Sequence, residues 1–112
     1  MAYDLVMGID EGLIAEIVRR ILTVSKPDRI ILFGSAATGG MTRDSDIDLL
    51  VLAPKPANTI DEWVRLRRTL RGLGFPFDLF IMATERFEES KSVLGGLAYP
   101  ASKFGRVIYE AA

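Results

Sequence analysis

The chain has 112 residues, 49% of them hydrophobic, and its 14 Lys and Arg against 15 Asp and Glu leave a formal charge of −1. This composition predicts one globular domain over residues 1–112 and excludes disordered and low-complexity architectures, while the near-zero charge argues against direct nucleic-acid binding. Because the sequence has no cysteine and no histidine, disulfides, thiolate or imidazole metal sites, cysteine nucleophiles and histidine bases are excluded.

Signals for a membrane or for secretion are absent from the sequence. No stretch approaches the ~18 apolar residues of a membrane span. The first residues also lack the basic region that begins a signal peptide. We therefore expect a cytoplasmic protein with no membrane partner.

The first half of the chain predicts a helix, a strand, a glycine-rich loop and a second strand. Asp10 is a suitable N-cap for a helix that ends near residue 24, since apolar residues recur there at helical spacing. Residues 29–33 form a short apolar run, typical of a strand buried on both faces. The loop over residues 34–45 leads to a second buried strand at 46–52, and its short length predicts that the two strands are neighbours.

The second half predicts two more strands and further helices. A helix over residues 59–71 carries an apolar stripe of Trp63, Leu66, Leu70 and Leu73. A third strand covers 77–82, Thr84 is expected to cap a short helix, and a last strand covers 106–109. This order is typical of the α/β class, and we expect a small mixed sheet of three to four strands with helices packed mainly on one face.

Two carboxylates, Asp46 and Asp48, open the otherwise apolar second strand. Residues i and i+2 of a strand point to the same face, which puts their Cα atoms ~7 Å apart. Carboxylates this close at the rim of a buried strand repel each other unless a cation lies between them. Because oxygen ligands select hard ions, Mg²⁺ or Mn²⁺ is expected here.

Gly34 and Ser35 directly follow the first strand. Glycine lets backbone amides approach a ligand closely, and the serine hydroxyl can donate a hydrogen bond to an anionic oxygen. One end of the loop therefore suits a phosphate, and the other end suits a metal ion. Phosphoryl or nucleotidyl transfer requires both sites together.

Asp78 is a lone acid in the third strand. If this strand lies beside the second, three carboxylates converge, enough for two ions ~3.5–4 Å apart. Asp78 is also the candidate general base, since the sequence offers no histidine. Each feature alone is common in turns and strand edges, and their combination favours a catalytic site.

These residues resemble a known signature. Gly34-Ser35, ten further residues and Asp46-Ile47-Asp48 are similar to the Gly-Ser-x10-Asp-x-Asp pattern of the DNA polymerase beta-like nucleotidyltransferase superfamily, and Asp78 matches its third acid. Length and C-terminal stretch look most like the minimal nucleotidyltransferases, the antitoxin partners in HEPN/MNT toxin–antitoxin pairs. The resemblance covers about residues 10–110.

The resemblance implies a nucleotidyltransferase core fold and a division of roles in the site. Asp46 and Asp48 would bind two Mg²⁺ ions, with Mn²⁺ as the alternative, and Asp78 would bind one of them. The expected nucleotide-binding residues are Gly34, Ser35, Arg43 and Ser45. The reaction would move a nucleoside monophosphate, usually AMP from ATP, onto a hydroxyl of a partner protein of the HEPN family.

One departure from the family pattern leaves alternatives open. Many minimal members carry an arginine at the position of Thr38, and Arg43 in the same loop is a candidate replacement for that charge. A non-catalytic antitoxin that acts by binding alone is therefore the first alternative. A small-molecule nucleotidyltransferase of the antibiotic-modifying type is the second, and the short chain argues against it. Assembly with itself or with a partner is compatible with the sequence.

Overall fold

The computed structural model describes residues 9–39, 45–54 and 59–112. The helices in these ranges are α1 (Glu11–Val24), α2 (Ser35–Thr38), α3 (Thr59–Thr69), α4 (Thr84–Ser90) and α5 (Ala98–Phe104). The strands are β1 (Arg29–Phe33), β2 (Ile47–Ala53), β3 (Phe77–Ala83) and β4 (Arg106–Glu110). Within the described residues, no helix is long and apolar enough to cross a bilayer.

The four strands form one mixed sheet in the order β3-β2-β1-β4. β1 pairs antiparallel with both β2 and β4, whereas β2 and β3 run parallel. The predicted α/β class, the mixed sheet and the neighbouring positions of β1 and β2 are confirmed. Because β1 ends where β2 and β3 begin, the loop after β1 and the first residues of β2 and β3 share one edge of the sheet.

Helices cover both faces of the sheet, with the two longest on one face. α1 and α3 bury Ile17, Ile21 and Leu66 against the odd-numbered residues of β2 and β3. The short helices α4 and α5 cover the opposite face, where Phe87 and Ala98 pack with Leu50, Leu52 and their neighbours. Alternate residues of a strand point to opposite faces, so the continuous apolar run of β2 supplies both cores.

The start of α1 agrees with the sequence prediction, whereas the start of α4 does not. Asp10 accepts a hydrogen bond from the Leu13 amide (3.1 Å), as an N-cap does. Thr84 is not the cap of α4, because Ala83 holds that position and the Thr84 hydroxyl donates to Asp28 Oδ2 (2.6 Å).

Trp63 was expected in the buried stripe of α3, and that prediction is wrong. Its side chain is 37% exposed, and its indole N–H donates to the Leu79 carbonyl oxygen (3.0 Å). Its helical spacing predicts a place in the core, but the indole ring lies at the rim of the sheet. There it satisfies a backbone carbonyl of the edge strand β3.

Candidate active site

The structure places Asp48 and Asp78 side by side. Each is the second residue of its strand, and the two are directly paired in the parallel ladder between β2 and β3. Neighbouring strands lie ~4.8 Å apart, so the two side chains meet on the same face of the sheet. Two carboxyl groups placed this close repel each other when both are ionised.

The chain turns at Gly34 in direct contact with this pair. Phe33, the last residue of β1, lies opposite Asp48, and Gly34 follows it with φ +70°. A Cβ atom at position 34 would overlap Oδ2 of Asp48. Glycine is therefore needed twice here, once for its left-handed backbone and once for the space that the carboxylate occupies.

The electrostatics of the site disfavour the ionised form of Asp48. Burial, the adjacent carboxyl group of Asp78 and the charge of Asp46 together raise the pKa of Asp48 from 3.8 to about 6. The ion pairs of the described residues join other side chains, so no Lys or Arg among them neutralises this cluster. A cation placed between Asp48 and Asp78 would relieve the repulsion.

A metal ion at this site would be held by the pair Asp48 and Asp78 rather than by a complete set of protein ligands. In the described part of the chain, no three acidic side chains are grouped closely enough to hold an ion by themselves. Asp46 is exposed just before β2 begins and acts on Asp48 through its charge. Mg²⁺ typically takes one or two carboxylates and completes its shell with substrate phosphates and water. Asp48 and Asp78 suit that kind of binding.

Three of the four predicted nucleotide-binding residues lie in the part of the chain that the structure describes. Gly34 is exposed beside Asp48, and the half-buried Ser35 opens the short helix α2. Ser45 lies just before Asp46, and Arg43 lies outside the described residues. At the position where the family resemblance expects arginine, the Thr38 hydroxyl donates to the Gly34 carbonyl oxygen (3.3 Å) and brings no charge.

Sequence reasoning missed an aromatic pair next to the acids. Phe80 follows Asp78 by two residues on the same face, and its side chain is 38% exposed. The ring of Phe33 packs against the ring of Phe80, with the two ring centroids 5.8 Å apart and an interplanar angle of 47°. The period-2 alternation of β3 puts Asp78 and Phe80 on one face, which is the signal that could have identified this neighbour.

Comparison with known families defines the class of this protein. Residues 13–99 match the model of the nucleotidyltransferase domain family, and the chain belongs to this family. The resemblance stated from Gly34-Ser35, Asp46, Asp48 and Asp78 is thereby confirmed at the level of the family. Comparison with curated protein sequences finds no significant match.

Several solved structures that share the fold come from toxin–antitoxin complexes, and another is a putative nucleotidyltransferase from Sulfolobus solfataricus, with a TM-score of 0.60 and 22% identity over 88% of this chain and 78% of that chain. A chain of a toxin–antitoxin complex crystallised with AMP-PNP has a TM-score of 0.68 and 24% identity, over 88% of this chain and 73% of that chain. A chain of the MntA–HepT toxin–antitoxin complex has a TM-score of 0.63 and 20% identity, over 91% and 74% of the two chains. A chain from the complex of the tri-AMPylated HEPN toxin of Shewanella oneidensis with its MNT antitoxin has a TM-score of 0.63 and 19% identity, over 92% and 74%. At these identities, the likeness establishes the fold.

Proposed function

We propose that this protein is a Mg²⁺-dependent nucleotidyltransferase that moves AMP from ATP onto a hydroxyl of a partner protein of the HEPN toxin type. The observation that carries the proposal is the placement of Asp48 beside both Asp78 and Gly34 at one edge of the sheet. This arrangement puts two carboxylates that would bind metal next to the turn that would hold the triphosphate. Family membership supports the reaction class.

Each residue of the proposed site has a separate task. Asp46 and Asp48 would hold the metal ions, and Asp78 would be a further ligand of one of them. The Ser35 hydroxyl would donate a hydrogen bond to the triphosphate beside Gly34. Asp78 would orient the acceptor hydroxyl and take its proton, since the chain has no histidine. Bound Mg²⁺ supplies charge neutralisation at the phosphate oxygens.

The HEPN-type partner is proposed from the solved structures with this fold. One of them contains AMP-PNP in a toxin–antitoxin complex, and another contains a tri-AMPylated HEPN toxin with its MNT antitoxin. ATP as donor and a toxin as acceptor are the combination that these complexes suggest for the present chain. Another NTP in place of ATP, and Mn²⁺ in place of Mg²⁺, are compatible with the same residues.

The decisive experiment is an intact-mass measurement of a co-expressed HEPN-type protein after incubation with this chain, Mg²⁺ and each NTP in turn. We expect the partner to gain the mass of one or more AMP units with ATP, and to gain nothing with the Asp48→Asn variant. The matched control is Glu89→Gln, which removes an exposed acid in α4, the helix that follows the opposite end of β3 from Asp78.

Two other outcomes would contradict the proposal. A stable complex without any mass gain would favour an antitoxin that acts by binding alone, and Thr38→Arg would then test whether the missing charge is the reason. A mass gain that persists in Asp48→Asn would refute the assignment of the metal site. Isothermal titration with AMP-PNP and Mg²⁺ gives an independent reading of nucleotide binding for each variant.

A further inference from the structure

One side of α3 carries a stripe of residues that belongs to neither core of the protein. The stripe consists of Ile60, Trp63, Arg67 and Arg71. Their spacing of three and four residues places them on one side of the helix and of the turn that follows it. All four are exposed, Ile60 by 75% and Trp63 by 37%. These four residues form the Trp63 flank.

The Trp63 flank borders β3, the edge strand that carries Asp78. The indole N–H of Trp63 donates to the Leu79 carbonyl oxygen (3.0 Å) and so holds the ring against this strand. An open pocket of about 190 Å³ lies between the helix and the strand, lined by Thr59, Ile60, Trp63 and Ile81. Ile81 follows Asp78 by three residues, which is ~10 Å along the strand.

The size of this pocket indicates what it can hold. Small-molecule sites in proteins typically have volumes of ~300–1,000 Å³ and enclose most of the ligand. The pocket on the Trp63 flank is smaller and open, with the apolar side chains of Ile60 and Ile81 in its walls. It therefore suits one apolar side chain that belongs to a larger partner.

The second half of α3 and the turn after it present positive charge. Four exposed arginines lie there, Arg65, Arg67, Arg68 and Arg71. The ion pairs found among the described residues include none of them. The Arg67 guanidinium lies over the Trp63 ring, 5.3 Å from the ring centroid. The Trp63 flank is therefore apolar at the start of the helix and cationic at its end.

We propose that the Trp63 flank is a docking site for a partner protein that carries an apolar anchor residue followed by carboxylates, as an acidic amphipathic helix does. The anchor enters the pocket beside Ile60, and the carboxylates face Arg67 and Arg71. Tryptophan and arginine are enriched among the residues that dominate binding energy at protein interfaces, and here the two are in contact. A partner held on this flank lies beside the strand that carries Asp78.

Nucleic acid is a less suitable occupant of the same surface. Bases stack on open aromatic faces, whereas Arg67 covers one face of the Trp63 ring and the neighbouring pocket has aliphatic walls. The formal charge of the chain is −1, which gives no long-range attraction for a phosphate backbone. The docking site goes beyond the proposed transfer reaction, because it needs neither the metal nor the nucleotide.

Trp63 is the one tryptophan of the sequence, so its indole cross-peak in a ¹H–¹⁵N NMR spectrum reports on this flank. The probe is a peptide of about 16 residues with leucine and glutamate at amphipathic helical spacing. One matched peptide has lysine in place of glutamate, and a second has serine in place of leucine. We expect the acidic peptide to shift the indole peak with a Kd below ~1 mM, and both matched peptides to bind at least ~5-fold more weakly.

Variants of the protein locate the binding on the flank. The double variant Arg67→Gln/Arg71→Gln should weaken binding of the acidic peptide ~5-fold through the loss of two exposed charge pairs. Ile60→Ala should weaken it by a similar factor of about 5, because it removes one apolar wall of the pocket. Arg86→Gln is the control and should change the Kd less than about two-fold, since Arg86 is exposed on α4, which packs on the opposite face of the sheet.

An indole peak that does not move with the acidic peptide at millimolar concentration would refute the docking site. Equal binding of the lysine peptide, or a double variant that binds like Arg86→Gln, would do the same. If a single-stranded RNA of about 12 nucleotides shifts the peak and the acidic peptide does not, the flank binds nucleic acid and the proposal is wrong. None of these measurements involves ATP, so the docking site and the proposed transfer reaction succeed or fail separately.

Discussion

Replacing Asp48 by asparagine should make the metal-free protein more stable above pH 6 while it removes metal binding. The pKa of Asp48 is raised in the folded state, so the native protein binds this proton more tightly than the unfolded chain does. The stability that comes from this proton is present below about pH 4 and is lost as the pH rises through about 6. Asparagine keeps the shape of the side chain and never ionises.

The size of the effect follows from the shift. A rise in the pKa from 3.8 to about 6 corresponds to at most ~3 kcal/mol, at ~1.4 kcal/mol per pH unit. Asp48 is only partly buried, and water screens the charges of Asp46 and Asp78, so about half of this value is a realistic expectation. We therefore expect Asp48→Asn to raise the free energy of unfolding by ~1–2 kcal/mol near pH 8.

Urea unfolding followed by circular dichroism, with a chelator present, measures this difference at about pH 4.5 and pH 8. The stabilisation should be present at pH 8 and shrink at the lower pH, where Asp48 of the wild type is protonated. Glu89→Gln serves as the control for a general loss of negative charge. An Asp48→Asn variant that is no more stable than the wild type at pH 8, or equally stabilised at both pH values, would refute the account of the electrostatics.

Three further predictions concern the turn and the edge of the sheet. Gly34→Ala should lower the free energy of unfolding by ~1–3 kcal/mol and weaken AMP-PNP binding, since the new Cβ displaces Asp48. Gly39→Ala is the control, because Gly39 also has a left-handed backbone (φ +83°) but open space around it, so alanine there causes backbone strain without a clash. Titration calorimetry measures the affinity for AMP-PNP, and urea unfolding measures the stability. Equal losses of stability and affinity in the two variants would contradict the clash with Asp48. Thr38→Arg should raise the affinity for AMP-PNP several-fold, and an unchanged affinity would separate this position from the phosphates. Trp63→Phe should cost ~0.5–1.5 kcal/mol of stability by removing the hydrogen bond to the edge strand, and unchanged urea unfolding would show that water replaces it.

The sequence predicted the elements that depend on local pattern. Short apolar runs identified the strands, and Asp10 identified the start of α1, because strand alternation and helix capping act over a few residues. The spacing of Gly34, Asp48 and Asp78 was also sufficient to indicate the family. The assignment of catalytic and binding roles to these residues stays a prediction.

Features that depend on long-range pairing could not be read from the sequence. The register that sets Asp48 directly beside Asp78 results from the crossover through α3, which no local pattern specifies. The exposure of Phe80 depends on how far α4 and α5 extend over the sheet. Trp63 was misplaced for the same reason, since its role is defined by a carbonyl of β3 that is 16 residues away.

The arrangement of the strands has a consequence for the folding of the site. β1 and β2 are antiparallel neighbours that lie close together in the sequence, so we expect Gly34 and Asp48 to meet early in folding. Asp78 arrives only after α3 has crossed the sheet and buried Leu66 and Leu70. We therefore expect the acid pair to form late, together with the main core, so that a partly folded chain has the turn without its second carboxylate. Direct pairing of Asp48 with Asp78 would then mark complete folding of the domain.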